Sequence, residues 1–148
     1  MRDSFCRAMA ARNLVDAWIT PFVRISRGIP RAARLERRLA PFTDTGRPVI
    51  AQIMGTDTTM LCETARRIAA LPGIVGIDLN CGCPSRTVLR SGAGAARLAE
   101  PAWIRGTLTA LRQTCPGACI TVKLRTGLQT ADEMPALLAA AAAAEPDL

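Results

Sequence analysis

The residues best suited to chemistry fall in one short run, Asp78-Leu79-Asn80-Cys81-Gly82-Cys83-Pro84, which places a carboxylate, a carboxamide and two thiols within seven positions. A thiol with an ordinary pKa of about 8.5 is mostly protonated at neutral pH, so Cys83 can deliver a proton, or act as a nucleophile once deprotonated. The chain contains no His, so a Cys/His nucleophilic pair cannot be assembled within it, and this favours the acid role. A zinc site needs four ligands. Cys81 and Cys83 with Cys115 and Cys119 match that number, but neither pair has the two-residue gap common in zinc sites, and no metal is expected. Most unpaired cysteines serve as small buried hydrophobes. The place of Cys83, where a buried apolar run turns into a Gly/Pro loop, argues for more than that.

Four Ile/Val-rich segments that read as strands must position this run: Trp18–Val23, Pro48–Met54, Ile74–Leu79 and Ile120–Arg125. Helical patterns separate them. Asp57 is placed to cap a helix on which Leu61, Ala65 and Ile68 share a face, and Glu100-Pro101 opens another with Ile104, Leu108 and Leu111 aligned. The βαβα alternation predicts an α/β fold with a parallel sheet. In the last strand Ile120, Val122 and Leu124 alternate with Thr121, Lys123 and Arg125, and Asp78 and Asn80 likewise share a face. One sheet face is therefore polar near the strand ends. A doubly wound sheet needs two apolar faces, whereas a (β/α)8 barrel gathers polar groups at its C-terminal mouth, so a partial TIM barrel is expected. A complete barrel takes about 250 residues and eight strands. The four seen here predict an incomplete one, corresponding to about strands 2–5.

Composition agrees with a single compact unit: 49% hydrophobic and 21% charged residues, with a core of small aliphatic groups because aromatics supply only 3%. No run approaches the roughly 20 apolar residues of a bilayer span, and the first residues show no signal-peptide core, so a cytoplasmic protein is expected. The net charge is +7, and residues 1–47 carry ten Arg against Asp3, Asp16, Glu36 and Asp44. That asymmetry predicts a polyanionic partner, nucleic acid before membrane. Arg27, Arg31, Arg34 and Arg38 recur at spacings of four, three and four, which reads as one stripe on a helix suited to phosphates or to solvent. Gly92-Ala93-Gly94 lacks a directly preceding strand and a third glycine, so it is no dinucleotide fingerprint.

Three segments together, Asp78 to Val88, Ser91-Gly92-Ala93-Gly94-Ala95 and Thr121-Val122-Lys123-Leu124-Arg125-Thr126-Gly127, resemble the tRNA-dihydrouridine synthases, most closely the bacterial C-type branch. The resemblance implies an FMN-binding TIM barrel that reduces the C5–C6 bond of a tRNA uridine at the expense of NADPH, with Cys83 donating the proton to C5. It implies flavin contacts at Gln52 and Lys123, substrate uridine contacts at Asn80 and Arg125, and a tRNA contact at Arg24. Lys123 stands out independently, being the only Lys among nineteen basic residues. A compact ammonium beside the pyrimidine edge of a flavin would stabilise its reduced anionic form.

Relative to that family, residues 1–148 read as an incomplete catalytic domain. The first flavin loop, the later strands and the C-terminal helical tRNA-binding domain are absent, so the isolated chain is expected to bind FMN weakly and to be inactive. An open half-barrel is also expected to self-associate. Pro21 stands where an acidic residue is common in the C-type branch, and Arg97 where an aliphatic is usual. Two other readings compete: a dihydroorotate or dihydropyrimidine dehydrogenase-like flavin barrel, against which the basic first third argues, and a non-catalytic RNA-binding remnant.

Overall fold

The computed structural model describes residues 2–147. Its centre is one parallel sheet of five strands, β1 (Trp18–Ile19), β2 (Val23–Arg24), β3 (Val49–Met54), β4 (Ile74–Asn80) and β5 (Cys119–Lys123). The order β1-β3-β4-β5 follows the chain, and β2 also pairs with β3. The helices are α1 (Arg2–Ala11), α2 (Ala32–Thr43), α3 (Thr58–Ala69), α4 (Arg86–Leu89), α5 (Pro101–Thr114) and α6 (Met134–Ala142), with 3-10 turns at Gly94–Ala99 and Ala131–Glu133. Strands that neighbour in chain order, linked by helices that pack on one face, curl into the arc of a barrel; a doubly wound sheet would reverse direction. The partial TIM barrel expected from the polar strand face is the fold observed.

The first expected strand needs correcting. Trp18–Val23 forms two separate two-residue strands, because Pro21 has no N–H to give the ladder. Both pieces still pair with β3, Trp18 opposite Val49 and Arg24 opposite Met54. The last expected strand ends at Lys123, so Leu124 and Arg125 lie beyond the sheet.

The two expected helices form for the expected reasons. The Asp57 carboxylate accepts the Met60 N–H at 2.8 Å to start α3, and Pro101 sits in the first turn of α5. Leu61, Ala65 and Ile68 of α3 and Ile104, Leu108 and Leu111 of α5 pack on Ala51, Ile53, Ile77, Leu79 and Ile120 of the sheet. All of that set are fully buried, and each Leu or Ile contributes roughly 1.5–3 kcal/mol relative to exposure. Helix α1 was not foreseen; its Cys6 packs with Phe42, Val49 and Trp18.

The free edge of β5 is met by the chain itself. The Asp147 N–H donates to the Ile120 carbonyl at 2.7 Å, and the Asp147 carboxylate accepts the Ile120 N–H at 2.7 Å. Arg112 holds that carboxylate at 3.0 Å.

Candidate active site at the mouth of the half-barrel

Alternation along the strands sends Ala51, Ile77 and Ile120 to the helices and Gln52, Asp78 and Thr121 to the barrel interior. Register brings the last three side by side, since Gln52 pairs with Asp78 and Asp78 with Thr121. They form one buried polar ladder. The Thr121 hydroxyl donates to Asp78 Oδ1 at 2.7 Å, Gln52 Nε2 donates to Asp78 Oδ2 at 2.6 Å, and the Gln52 backbone N–H donates to the Thr20 hydroxyl at 3.1 Å. Burial pushes the Asp78 carboxyl above its usual range, opposed by the Thr121 and Gln52 hydrogen bonds and by the charge of Lys123. Both carboxylate oxygens are satisfied, as a buried anion requires.

Two residues further along, Asn80 pairs with Lys123 and carries the ladder to the mouth. Asn80 Nδ2 donates to Gln52 Oε1 at 2.8 Å, while its Oδ1 accepts the backbone N–H groups of Gly82 at 3.2 Å and Cys83 at 3.1 Å. An Asx-type turn of this kind is what a short carboxamide favours. It fixes the thiol loop onto the end of β4.

The two thiols of that loop have opposite environments. Cys81 is fully buried in the helix-facing core, and burial pushes its pKa up to about 12, so it stays a neutral hydrophobe. Cys83 is half-buried beside Met54, Val88, Ala93 and Phe22. It is the thiol of the pair that solvent reaches.

Lys123 and Arg125 flank the Gly82 turn. A Cβ on Gly82 would lie 3.5 Å from Lys123 Nζ and 3.5 Å from Arg125 Cγ, in ordinary contact, which puts both side chains against the turn. Both are exposed. Arg24, at the end of β2, donates to the Ser91 hydroxyl at 3.0 Å and so reaches the segment that follows the thiol loop. The structure thus brings Gln52 and Asn80 into direct contact and gathers Cys83, Lys123 and Arg125 around Gly82, with Arg24 on the rim.

The segment Ser91–Ala95 buttresses Cys83 from behind. The Ala95 N–H donates to the Cys83 carbonyl at 3.0 Å, and Gly92 and Gly94 take φ values of +72° and +59°. A Cβ at Gly94 would meet the Cys83 carbonyl at 2.9 Å and Val88 Cγ1 at 2.7 Å, so only glycine fits. Arg97 anchors the same segment. It donates to the Gly92 carbonyl at 2.5 Å, bonds Glu100 at 3.4 Å and lies over the Trp103 ring at 4.7 Å. Its side chain is largely packed, which accounts for an arginine where an aliphatic was expected.

Thr20, Thr121 and Ser91 were missed as participants. The alternation of Thr121 with Ile120 and Val122 was the readable signal for one of them. Among the described residues no group of three or more His, Cys, Asp or Glu is placed to hold a metal ion. Cys119 pairs with Gly76, at the opposite end of the strands from Cys83.

The family model described as Dihydrouridine synthase matches residues 1–146. The chain belongs to the dihydrouridine synthase family. Among curated relatives it is similar to the tRNA-dihydrouridine(16) synthase of Haemophilus influenzae, with 40% identity over 134 residues, covering 84% of this chain and 42% of that protein. It is similar also to those of Haemophilus ducreyi, at 37% identity over 88% of this chain and 42% of the relative, and Salmonella typhimurium, at 38% over 81% and 40%. The chain therefore spans about two fifths of the length of these relatives. Within this dihydrouridine synthase family member, no described helix is long and apolar enough to cross a membrane.

Proposed function

We propose that the chain supplies part of the catalytic barrel of a tRNA-dihydrouridine synthase, which reduces the C5–C6 double bond of uridine 16 in tRNA to 5,6-dihydrouridine. The observation that carries this reading is the Asn80 clamp. It ties the backbone of Cys83, the solvent-reached thiol of the loop, to a buried ladder, next to the Gly82 turn that Lys123 and Arg125 flank. The named activity of the relatives, tRNA-dihydrouridine(16) synthase, supplies the substrate and position.

A flavin fits the donor set at this mouth. Lys123 is exposed and bonds no carboxylate among the described residues, and Gln52 has one amide N–H left after its bond to Asp78. These two residues would hold FMN, which when bound and reduced by NADPH supplies the hydride for C6. The Cys83 thiol donates its proton to C5, leaving a thiolate and completing addition of two hydrogens across the double bond. Asn80 positions the thiol through the loop N–H groups, and its remaining amide N–H faces the uracil. Arg125 and Arg24 bind the RNA. The target base must leave its stack to reach the thiol.

A tRNA substrate supports a cytoplasmic setting for the protein. The open side of β5, where Val122, Leu124, Met134, Leu138 and Ala141 line an apolar cavity of about 600 Å³, is the surface through which copies of this half-barrel self-associate.

A chimera tests the reading. Residues 1–146 replace the matching segment of the Haemophilus influenzae relative, and the product is incubated with unmodified tRNA and NADPH. Bound flavin and dihydrouridine at position 16 are expected, with turnover abolished and flavin retained in Cys83→Ala. A folded, flavin-loaded chimera that makes no dihydrouridine, or whose turnover survives Cys83→Ala, overturns it.

A further inference from the structure

A second site lies beside the mouth. The loop after β2 and the facing side of α2 enclose a cleft of about 490 Å³ that is lined by Arg24, Arg27, Arg31, Arg34 and Arg38. This corrects the expected stripe. Helix α2 begins at Ala32, so Arg27 stands in the loop and Arg31 at the N-cap, and the arginines converge from two walls instead of lining one helix face. No acidic residue lines the cleft.

The state of these arginines is the informative part. Arg38 donates to the Phe22 carbonyl at 2.7 Å and Arg24 to Ser91. Arg27, Arg31 and Arg34 have no hydrogen-bond or ion-pair partner among the described residues, although elsewhere Glu63 pairs both Arg66 and Arg67. The loop wall is fixed, since Arg67 donates to the Pro30 carbonyl at 3.1 Å. Three exposed, unpartnered guanidinium groups around one cleft sum to a local positive potential that concentrates an anionic ligand there. Arg24 links this cleft to the segment behind Cys83.

We propose that the cleft is a docking site for the phosphate backbone of the RNA substrate, with Arg27, Arg31 and Arg34 as its ion contacts and Arg24 as the bridge to the mouth. Guanidinium forks suit phosphate oxygens and read no sequence, so the cleft sets where the RNA lies and leaves base choice to the mouth. This rests on the tRNA reading above, but it concerns binding and not reduction.

Charge-matched variants of the full chain test it. Arg27→Gln/Arg34→Gln removes two cleft charges, and Arg12→Gln/Arg105→Gln removes two exposed charges elsewhere. Binding of an unmodified tRNA transcript is measured by fluorescence anisotropy across a salt series. The cleft variant is expected to bind about tenfold more weakly near 0.1 M salt, with its log Kd against log salt slope reduced by about 1.4–1.8, whereas the control changes less than about twofold. Equal losses in both variants, no loss in the cleft variant, or no transcript binding by the parent chain overturn the proposal. So does a cleft variant that loses affinity for poly-glutamate while keeping its affinity for the transcript, which would assign the cleft to an acidic polypeptide. Loss of binding confined to the cleft variant stands even where no dihydrouridine forms. Unchanged binding alongside Cys83-dependent reduction removes the cleft alone.

Discussion

The Asn80 side chain holds the Cys83 backbone N–H at 3.1 Å, so the position of the thiol loop is decided by a carboxamide that is itself bonded to Gln52. Asn80→Ala removes the acceptor for two loop N–H groups and leaves Gln52 Oε1 unpaired in a buried site. A loss of about 1–3 kcal/mol in stability is expected, read from urea unfolding. Because the loop is released, alkylation of Cys83 under native conditions should also become faster than in the parent chain. A variant with parent-like stability and alkylation rate would remove Asn80 as the clamp.

Alkali should unfold the protein through its thiols. Burial raises Cys81 from its ordinary value near 9 to about 12, and Cys115 and Cys119 shift the same way. Between those values the unfolded chain gives up the Cys81 proton while the folded chain keeps it, so stability falls as pH rises through the window. The slope for Cys81 is about 1.4 kcal/mol per pH unit. The chain has no Tyr and one Lys, so few other groups blur the signal. Cys81→Ala should flatten the slope by one thiol between about pH 9 and 12 in urea titrations.

Thr121→Val tests the ladder from the acid side. Asp78 titrates above its usual range, so the folded state takes up a proton at higher pH than the unfolded state, and the ionised carboxylate weakens the fold above that range. Loss of the Thr121 hydroxyl should push Asp78 higher still and destabilise the protein by about 1–3 kcal/mol at pH 7. The difference from the parent should shrink as acid protonates the carboxyl. A pH-independent difference would mean that Thr121 acts by packing alone.

Two glycines should respond in opposite directions to the same change. Gly94→Ala forces a Cβ to within 2.7 Å of Val88 and 2.9 Å of the Cys83 carbonyl at φ +59°, and a loss of at least about 1–2 kcal/mol is expected. Gly106 lies inside α5 with open space around it, and Gly106→Ala should stabilise by about 0.5–1 kcal/mol. Thermal unfolding of the pair reads both signs.

The parts of this fold that sequence made legible were those governed by period and caps. Asp57 ahead of Leu61, Ala65 and Ile68, and the alternation through Asp78 and Asn80, report local geometry that tertiary contacts reinforce. Two features were misread where a local break interrupts a good pattern. The segment Trp18–Val23 has good strand residues, yet Pro21 breaks its ladder with β3, and Arg27 fits a helical spacing although the helix starts five residues later. Cys81 and Cys83 are the same residue type two positions apart. Strand alternation would put both on one face; the turn after Asn80, held by its carboxamide at the Gly82 and Cys83 N–H groups, separates the buried thiol from the half-buried one.

The Asp147 contact with β5 limits how copies of the molecule can meet, occupying the strand edge at Ile120 and leaving the apolar face beside Val122 and Leu124. An uncovered parallel strand invites another strand to add to it, and here one carboxylate occupies the Ile120 N–H where that addition would begin. The Ile120 N–H and Arg112 hold Asp147 below the usual carboxylate range, so this guard stays charged through mildly acidic conditions. In stronger acid the carboxylate is neutralised and loosens from Arg112, while the Asp147 N–H still bonds the Ile120 carbonyl, so the guard weakens in two separable steps.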